Sequence, residues 1–267
     1  MTEIAKDGDG HHVTFEKSGG IARIYIDRPN KRNALGLQTI EELLSALATA
    51  EHDSSIRVVI LSGTGTKAFA SGADLDELPT AFASPSNARA YDEKITRLYL
   101  AIANSKLPVM ARIAGHAIGG GCLLALASDF RIAAAEIKVG FPVALIGLML
   151  SPYEHELILD HMTSSSAKAL IFTGRRILAP EAKSLGLIDI VVPREDLDTV
   201  VDEVAQQIAA GAPLAISAAK SVLNAIRRQS DVDETISRAY ETIYSSSDLV
   251  EGLAAIHAKR PPIFSGH

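Results

Sequence analysis

Short apolar runs of strand composition alternate with helical periodicity over residues 12–190, and from Glu195 onward only the helical pattern remains. Val13-Thr14-Phe15 and Ile21-Ala22-Arg23-Ile24-Tyr25-Ile26 follow the two-residue period of a strand, with Ser18-Gly19-Gly20 as the turn between them. Leu37, Ile40, Leu43, Leu44 and Leu47 then share one helical face. Val58-Val59-Ile60-Leu61, Val109 to Ile113 and Phe130 to Ala134 are further runs of strand length. Alternation of this kind predicts an α/β core. Beyond it, Leu197, Val200, Val201, Val204 and Ile208 form one stripe, and Leu214 to Arg228 and Val232 to Tyr244 give two more amphipathic helices. The chain is accordingly divided into an α/β core over 12–195 and a helical region over 196–267, with residues 1–11 expected to fray.

Composition removes several function classes. The net charge of −6 argues against nucleic acid as a partner, because phosphate binding calls for a basic stripe. The most apolar segment, Val139 to Leu150, is interrupted by Pro142 and Gly147, and falls short of the roughly 20 residues a membrane span needs. Cys122 is the single cysteine, so no internal disulfide forms, and a cytoplasmic setting is expected. Its apolar neighbours mark it as a small buried residue.

Gly63-Thr64-Gly65-Thr66-Lys67-Ala68 has the spacing of a dinucleotide fingerprint, but a second loop, Ser71-Gly72-Ala73-Asp74, follows where the helix is required. His155 and His161 stand six residues apart, about 120° round a helix, so they do not form a zinc pair, and no metal is expected. No G-x-S-x-G elbow is present. Two glycine-containing loops remain: Ala70-Ser71-Gly72-Ala73-Asp74-Leu75, and Gly119-Gly120-Gly121 before the helix-forming run from Cys122 to Ala127. Both offer bare backbone N–H groups. A pair of such donors converging on one oxygen makes an oxyanion hole, and a helix N-terminus adds its dipole. Taken alone, the glycines also fit two tight turns that leave no room for a side chain. Asp74 is expected to cap the helix that follows it.

At these residues the sequence resembles the crotonase superfamily, the enoyl-CoA hydratase/isomerase family. Lys67-Ala68-Phe69-Ala70-Ser71-Gly72-Ala73-Asp74-Leu75 and Gly115-His116-Ala117-Ile118-Gly119-Gly120-Gly121-Cys122 carry the likeness. Asp27-Arg28-Pro29-Asn30-Lys31-Arg32-Asn33-Ala34-Leu35, the segment from Thr173-Gly174 to Gly186-Leu187-Ile188-Asp189, and Glu251-Gly252 with Lys259-Arg260 extend it over nearly the whole chain. The resemblance implies a spiral of ββα units followed by a helical trimerisation region, as a homotrimer or a dimer of trimers. It implies an acyl-CoA thioester substrate whose carbonyl sits between the N–H groups of Ala73 and Gly120, with CoA as part of the substrate and no tightly bound cofactor. It also implies Lys67 and Ser71 near the adenine, and Lys31, Arg32 and Lys259 near the phosphates.

The sequence departs from the family where hydratases carry two glutamates, since those positions hold Leu123 and Val143. Both are expected to desolvate the substrate pocket rather than to handle water. The position of the lone acid kept by some isomerases corresponds to Ser151. Tyr153, Glu154 and His155 are the nearest replacement groups: His155 for its intrinsic pKa, Glu154 if burial raises its own. His116 is a further candidate, more readily explained as structural. Leu78, Phe82, Leu145, Ile146 and Met149 are expected to form an apolar acyl pocket. The reading is an enolate-stabilising enzyme of isomerase, decarboxylase or C–C lyase type. The alternatives are a non-catalytic acyl-CoA binding protein and a hydratase using non-standard residues.

Overall fold

The computed structural model describes residues 10–267, so most of the segment expected to fray lies outside the described residues. The chain begins with an antiparallel pair, β1 (Val13–Ser18) and β2 (Ile21–Ile26), in which Val13 faces Ile26 across the glycine turn. Helix α1 (Leu37–His52) buries Ile40, Leu43 and Leu47, the face given by the sequence periodicity. Three passes of one pattern follow. The first is β3 (Val58–Gly63), β4 (Ala68–Ala70) and helices α2 (Leu78–Ala81) and α3 (Pro85–Ala103). The second is β5 (Val109–Ile113), β6 (His116–Ile118) and α4 (Gly120–Ala127). The third is β7 (Phe130–Ala134), β8 (Lys138–Gly140) and helices α5 (Pro152–Leu159) and α6 (Ser164–Thr173). Then come β9 (Arg176–Leu178), α7 (Ala179–Ser184) and β10 (Ile190–Val192).

In each pass the first strand joins one sheet and the second joins another. The six-stranded sheet runs β1-β2-β3-β5-β7-β10, parallel except for its first pair. The four-stranded sheet runs β4-β6-β8-β9, parallel except for its last pair. This is the spiral of ββα units that the resemblance implies. The strands of the smaller sheet are three residues long, too short for a two-residue period to register in the sequence. β3 is buried at all six positions, as a strand covered on both faces must be.

The helices after β10 are α8 (Leu197–Ala209), α9 (Pro213–Arg228), α10 (Val232–Tyr244) and α11 (Ser247–Ala258). α8 buries Leu197, Val201 and Ala205 and packs on β2, β3, β5 and β7, so it covers the large sheet. α9 packs against α10, and Ala225 is the only buried residue of the two. Among the described residues, no single helix is long and apolar enough to cross a membrane. Likewise, no group of three His, Cys, Asp or Glu side chains is placed to hold a metal ion.

Candidate active site

The three glycines that open α4 are required for different reasons. Gly119 is the N-cap with φ +55°, a conformation in which a side chain is strained. Gly121 has β4 against it: a Cβ there would fall 2.0 Å from the Ala70 carbonyl oxygen. Gly120 faces the second loop, since a Cβ on it would lie 3.5 Å from Gly72 Cα. Gly72 has φ +91°, and a Cβ on it would come within 3.1 Å of the Gly120 nitrogen. Gly72 and the triple glycine, 47 to 49 residues apart in sequence, therefore lie side by side with little room for a Cβ between them. Among the described residues, the N–H groups of Ala73 and Gly120 have no hydrogen-bond acceptor. The buried Tyr99 hydroxyl donates to the Gly120 carbonyl at 3.1 Å and steadies the first turn of α4.

The segment 28–35 straps the second loop in place. Leu35 N–H donates to the Gly72 carbonyl at 2.8 Å, and Ser71 N–H to the Arg32 carbonyl at 3.1 Å. Asn33, itself buried, donates through Nδ2 to the Ala68 and Thr64 carbonyls and accepts the Arg28 N–H. The Arg28 guanidinium donates to the Ala34 carbonyl at 2.9 Å and to Asp74 Oδ2 at 2.7 Å. Burial alone would raise the Asp74 carboxyl. The Arg28 hydrogen bond, the Asp76 N–H and the nearby positive charge outweigh it and hold the group below its ordinary value. Asp74 thus pins the loop and caps no helix: α2 starts at Leu78 after Glu77. The Glu77 carboxylate in turn accepts the Leu37 N–H at the start of α1.

Two cavities meet at these loops. The inner one, about 130 Å³, is lined by Gly120 and Ala73, by Phe82, Tyr91, Val143 and Met149, and by two carboxylates, Asp92 and Glu154. The outer one, about 1080 Å³, carries Lys31, Arg32, Lys67, His116, Arg176 and Arg194. Ser71, Ala73, Ile118 and Pro142 belong to both walls, so the free Ala73 N–H stands at their junction.

Glu154 is buried at 7 % exposure in the first turn of α5, where it completes a capping box with Ser151. Its Oε2 accepts the Ser151 N–H at 2.7 Å, and among the described residues Oε1 has no hydrogen-bond partner. Burial raises its pKa, the Ser151 N–H opposes the rise, and the Asp92 charge adds to it.

The remaining candidates divide clearly. Val143, Leu78, Phe82, Ile146 and Met149 line the inner cavity, and Leu145 lines the outer one. Lys31, Arg32, Lys67 and Ser71 line the outer cavity, with Lys31 ion-paired to Asp76. Three expectations are corrected. Leu123 is fully buried in the core and reaches neither cavity, because the first turn of α4 points it away from the loops. His155 is exposed and its Nδ1 lies 2.9 Å from the Ser151 carbonyl; one step from Glu154 on a helix turns about 100°, which carries it out of the site. Lys259 is exposed at the end of α11 and lines neither cavity. Tyr153 accepts a hydrogen bond from Arg228 outside the site. His116 Nδ1 accepts the Lys138 N–H and ties β6 to β8. Cys122 is buried, which pushes its thiol up to about 12 and leaves it inert.

Asp92, Tyr91, Tyr99, Arg176 and Arg194 also line these cavities, and no motif in the sequence marks them. In Ala90-Tyr91-Asp92-Glu93-Lys94 nothing distinguishes Asp92 from Glu93 except helical phase. The apolar spacing of Tyr91, Ile95, Leu98 and Ile102 was the available signal.

Comparison with known proteins agrees with this architecture. The family model described as enoyl-CoA hydratase/isomerase matches residues 16–267. A short-chain-enoyl-CoA hydratase of Clostridium acetobutylicum is 31% identical over 253 residues, covering 94% of this chain and 96% of the relative. A crotonyl-CoA hydratase of Syntrophomonas wolfei is 31% identical over 256 residues, covering 95% and 97%. Among solved structures, an enoyl-CoA hydratase/carnithine racemase from Magnetospirillum magneticum superposes with TM-score 0.92 at 34% identity, covering 99% of this chain and 97% of that one. An enoyl-CoA hydratase from Bacillus anthracis gives TM-score 0.89 at 34% identity, covering 96% and 100%. With paired glycine loops on a two-sheet spiral and a family match over almost its full length, the chain belongs to the enoyl-CoA hydratase/isomerase family of the crotonase superfamily.

Proposed function

We propose that the protein is a cytoplasmic enzyme that binds an acyl-CoA thioester and stabilises its enolate. The thioester oxygen takes the N–H groups of Ala73 and Gly120, and Glu154 removes the proton from the α carbon. The observation that carries this reading is one small cavity holding two unengaged backbone donors and a buried carboxylate with a free oxygen. As the α C–H bond breaks, negative charge grows on the thioester oxygen, where preorganised donors in a water-poor site act most strongly. The walls contributed by Phe82, Val143 and Met149 favour a fatty or alicyclic acyl group. Arg32 and Lys67, with Arg176 and Arg194, face the outer cavity, where the CoA phosphates and adenine belong. CoA is then part of the substrate, and no tightly bound cofactor is required.

Double-bond isomerisation is favoured over hydration, because Leu123 and Val143 stand at the two positions where the resemblance places the hydratase glutamates. Hydration by non-standard residues is the second reading; the relatives named as hydratases favour it. Incubating the protein with saturated and 2-enoyl CoA thioesters in D₂O tests both by mass spectrometry. Deuterium at the α carbon without added water supports the proposal. Water across the double bond supports the second reading. Binding with neither change means an acyl-CoA binding protein.

The pH dependence is a further expected outcome. Glu154 must be ionised to act as a base, and burial places its pKa above the ordinary glutamate value of 4.5. Exchange therefore rises with pH through a midpoint above 4.5, and Glu154→Gln abolishes that limb. The same shift acts on stability with a defined sign. Between the ordinary and the raised pKa the folded chain holds more protons than the unfolded one, so stability falls as pH rises through that window.

We also propose self-association as a trimer or a dimer of trimers. Leu223 and Ile226 of α9, Tyr240 and Tyr244 of α10, and Leu253 and Ile256 of α11 expose apolar surface of the kind that subunit contacts cover.

A further inference from the structure

The inner cavity contains a carboxylate that neither the fold nor the reading above uses. Asp92 lies on α3 among Tyr91, Ile95 and Tyr99, which line the same cavity. Among the described residues it has no hydrogen-bond partner and no ion pair, although it is half-buried, and burial raises its pKa. A half-buried carboxylate loses part of its hydration and here gains no hydrogen bond or ion pair from the described residues in return. Two carboxylates sharing one small cavity resist being ionised together, which favours one acting as base while the other keeps its proton.

We propose that Asp92 is the second proton-transfer residue of this site, delivering a proton to the γ carbon of an enoyl thioester after Glu154 has taken one from the α carbon. The proposal rests on the enolate reading above. For a 3-enoyl thioester the bookkeeping is complete. The α C–H bond breaks, its proton goes to Glu154, and its electron pair forms the dienolate whose oxygen rests on Ala73 and Gly120. As the carbonyl re-forms, a double bond forms between the α and β carbons. The former β,γ pair takes the proton of Asp92 at the γ carbon. Glu154 then loses its proton and Asp92 regains one through solvent exchange, with no other reactant consumed. The placement is built from α3 and α5, elements that enter the cavity from different passes of the spiral, so the two groups can flank an acyl chain lying between them.

The test is 3-hexenoyl-CoA in D₂O with the wild type, Asp92→Asn and Glu154→Gln. The wild type is expected to form 2-hexenoyl-CoA with deuterium at the γ carbon. Asp92→Asn is expected to keep α-exchange in recovered 3-hexenoyl-CoA while migration falls about 10²-fold or more in kcat with little change in KM. Retained exchange shows that this variant is folded and binds substrate, and Asp92→Glu is expected to recover part of the migration. Migration at the wild-type rate in Asp92→Asn overturns the proposal. So does loss of exchange together with migration in that variant, or exchange without migration in the wild type. Glu154→Gln judges the underlying reading separately: exchange that survives it rules out Glu154 as the base and the Asp92 proposal built on it, and a wild type that never exchanges sinks the enolate reading itself.

Discussion

Gly120→Pro is expected to lower the rate of α-exchange by about 10²–10³ while leaving the chain folded. The substitution removes the N–H and adds a ring whose Cβ meets the Tyr99 hydroxyl as the alanine Cβ does, so the alanine variant accounts for that contact. Gly120 is the first residue of α4, the position in a helix where proline is best tolerated, and among the described residues its N–H has no acceptor to lose. The rate loss corresponds to about 2.7–4 kcal/mol of transition-state stabilisation, so it stands well outside ordinary packing effects. Gly120→Ala is the control. It keeps the donor and adds a Cβ that meets the Tyr99 hydroxyl at 3.1 Å, which must give by a few tenths of an ångström. Exchange rates measured beside thermal melting settle the matter. If proline and alanine slow exchange equally, the Gly120 N–H is not the agent and the oxyanion role fails.

Arg28→Ala is expected to be the most destabilising substitution away from the reacting groups. Its guanidinium and the Asp74 carboxylate have side-chain exposures of only 12% and 7%, so removing one leaves the other charge buried and uncompensated. Breaking such a pair typically costs about 3–5 kcal/mol, a large share of the roughly 5–15 kcal/mol that holds a domain together. Arg28 also supplies the Ala34 hydrogen bond, so the strap over Ser71-Gly72-Ala73 loosens with it. Urea denaturation of Arg28→Ala, Asp74→Ala and the double variant gives the coupling directly, and fully additive losses would show that the pair does not act as a unit. The pH sign follows from the depressed Asp74 carboxyl. Its contribution is present above the ordinary carboxylate range and fades as pH falls through the folded value, so the gap between wild type and Arg28→Ala narrows in acid.

Much of the architecture was legible in the chain. The five strand-like runs over 13–134 all form strands, and the stripe from Leu197 to Ile208 became α8. β4, β6, β8 and β9 were illegible because three residues hold too little pattern, and their pairing is set by neighbours distant in sequence. The glycine loops were visible as a pair because glycine is used where a backbone needs positive φ or close approach, and Gly72, Gly119 and Gly121 meet one or the other condition.

The carboxylates were a different matter. Glu154 and His155 are neighbours in sequence, and a helix separates adjacent side chains by about 100°, so at most one of them enters the cavity. The sequence by itself determined the α/β core, the two glycine loops and the absence of acids at positions 123 and 143, while the strap formed by Arg28 and Asn33 came from the tertiary structure. Only the tertiary structure decided that Glu154 turns inward, that Asp92 stands in the same wall and that Leu123 belongs to the core. Those choices depend on which face of α3, α4 and α5 the two sheets leave open, and no local period records that.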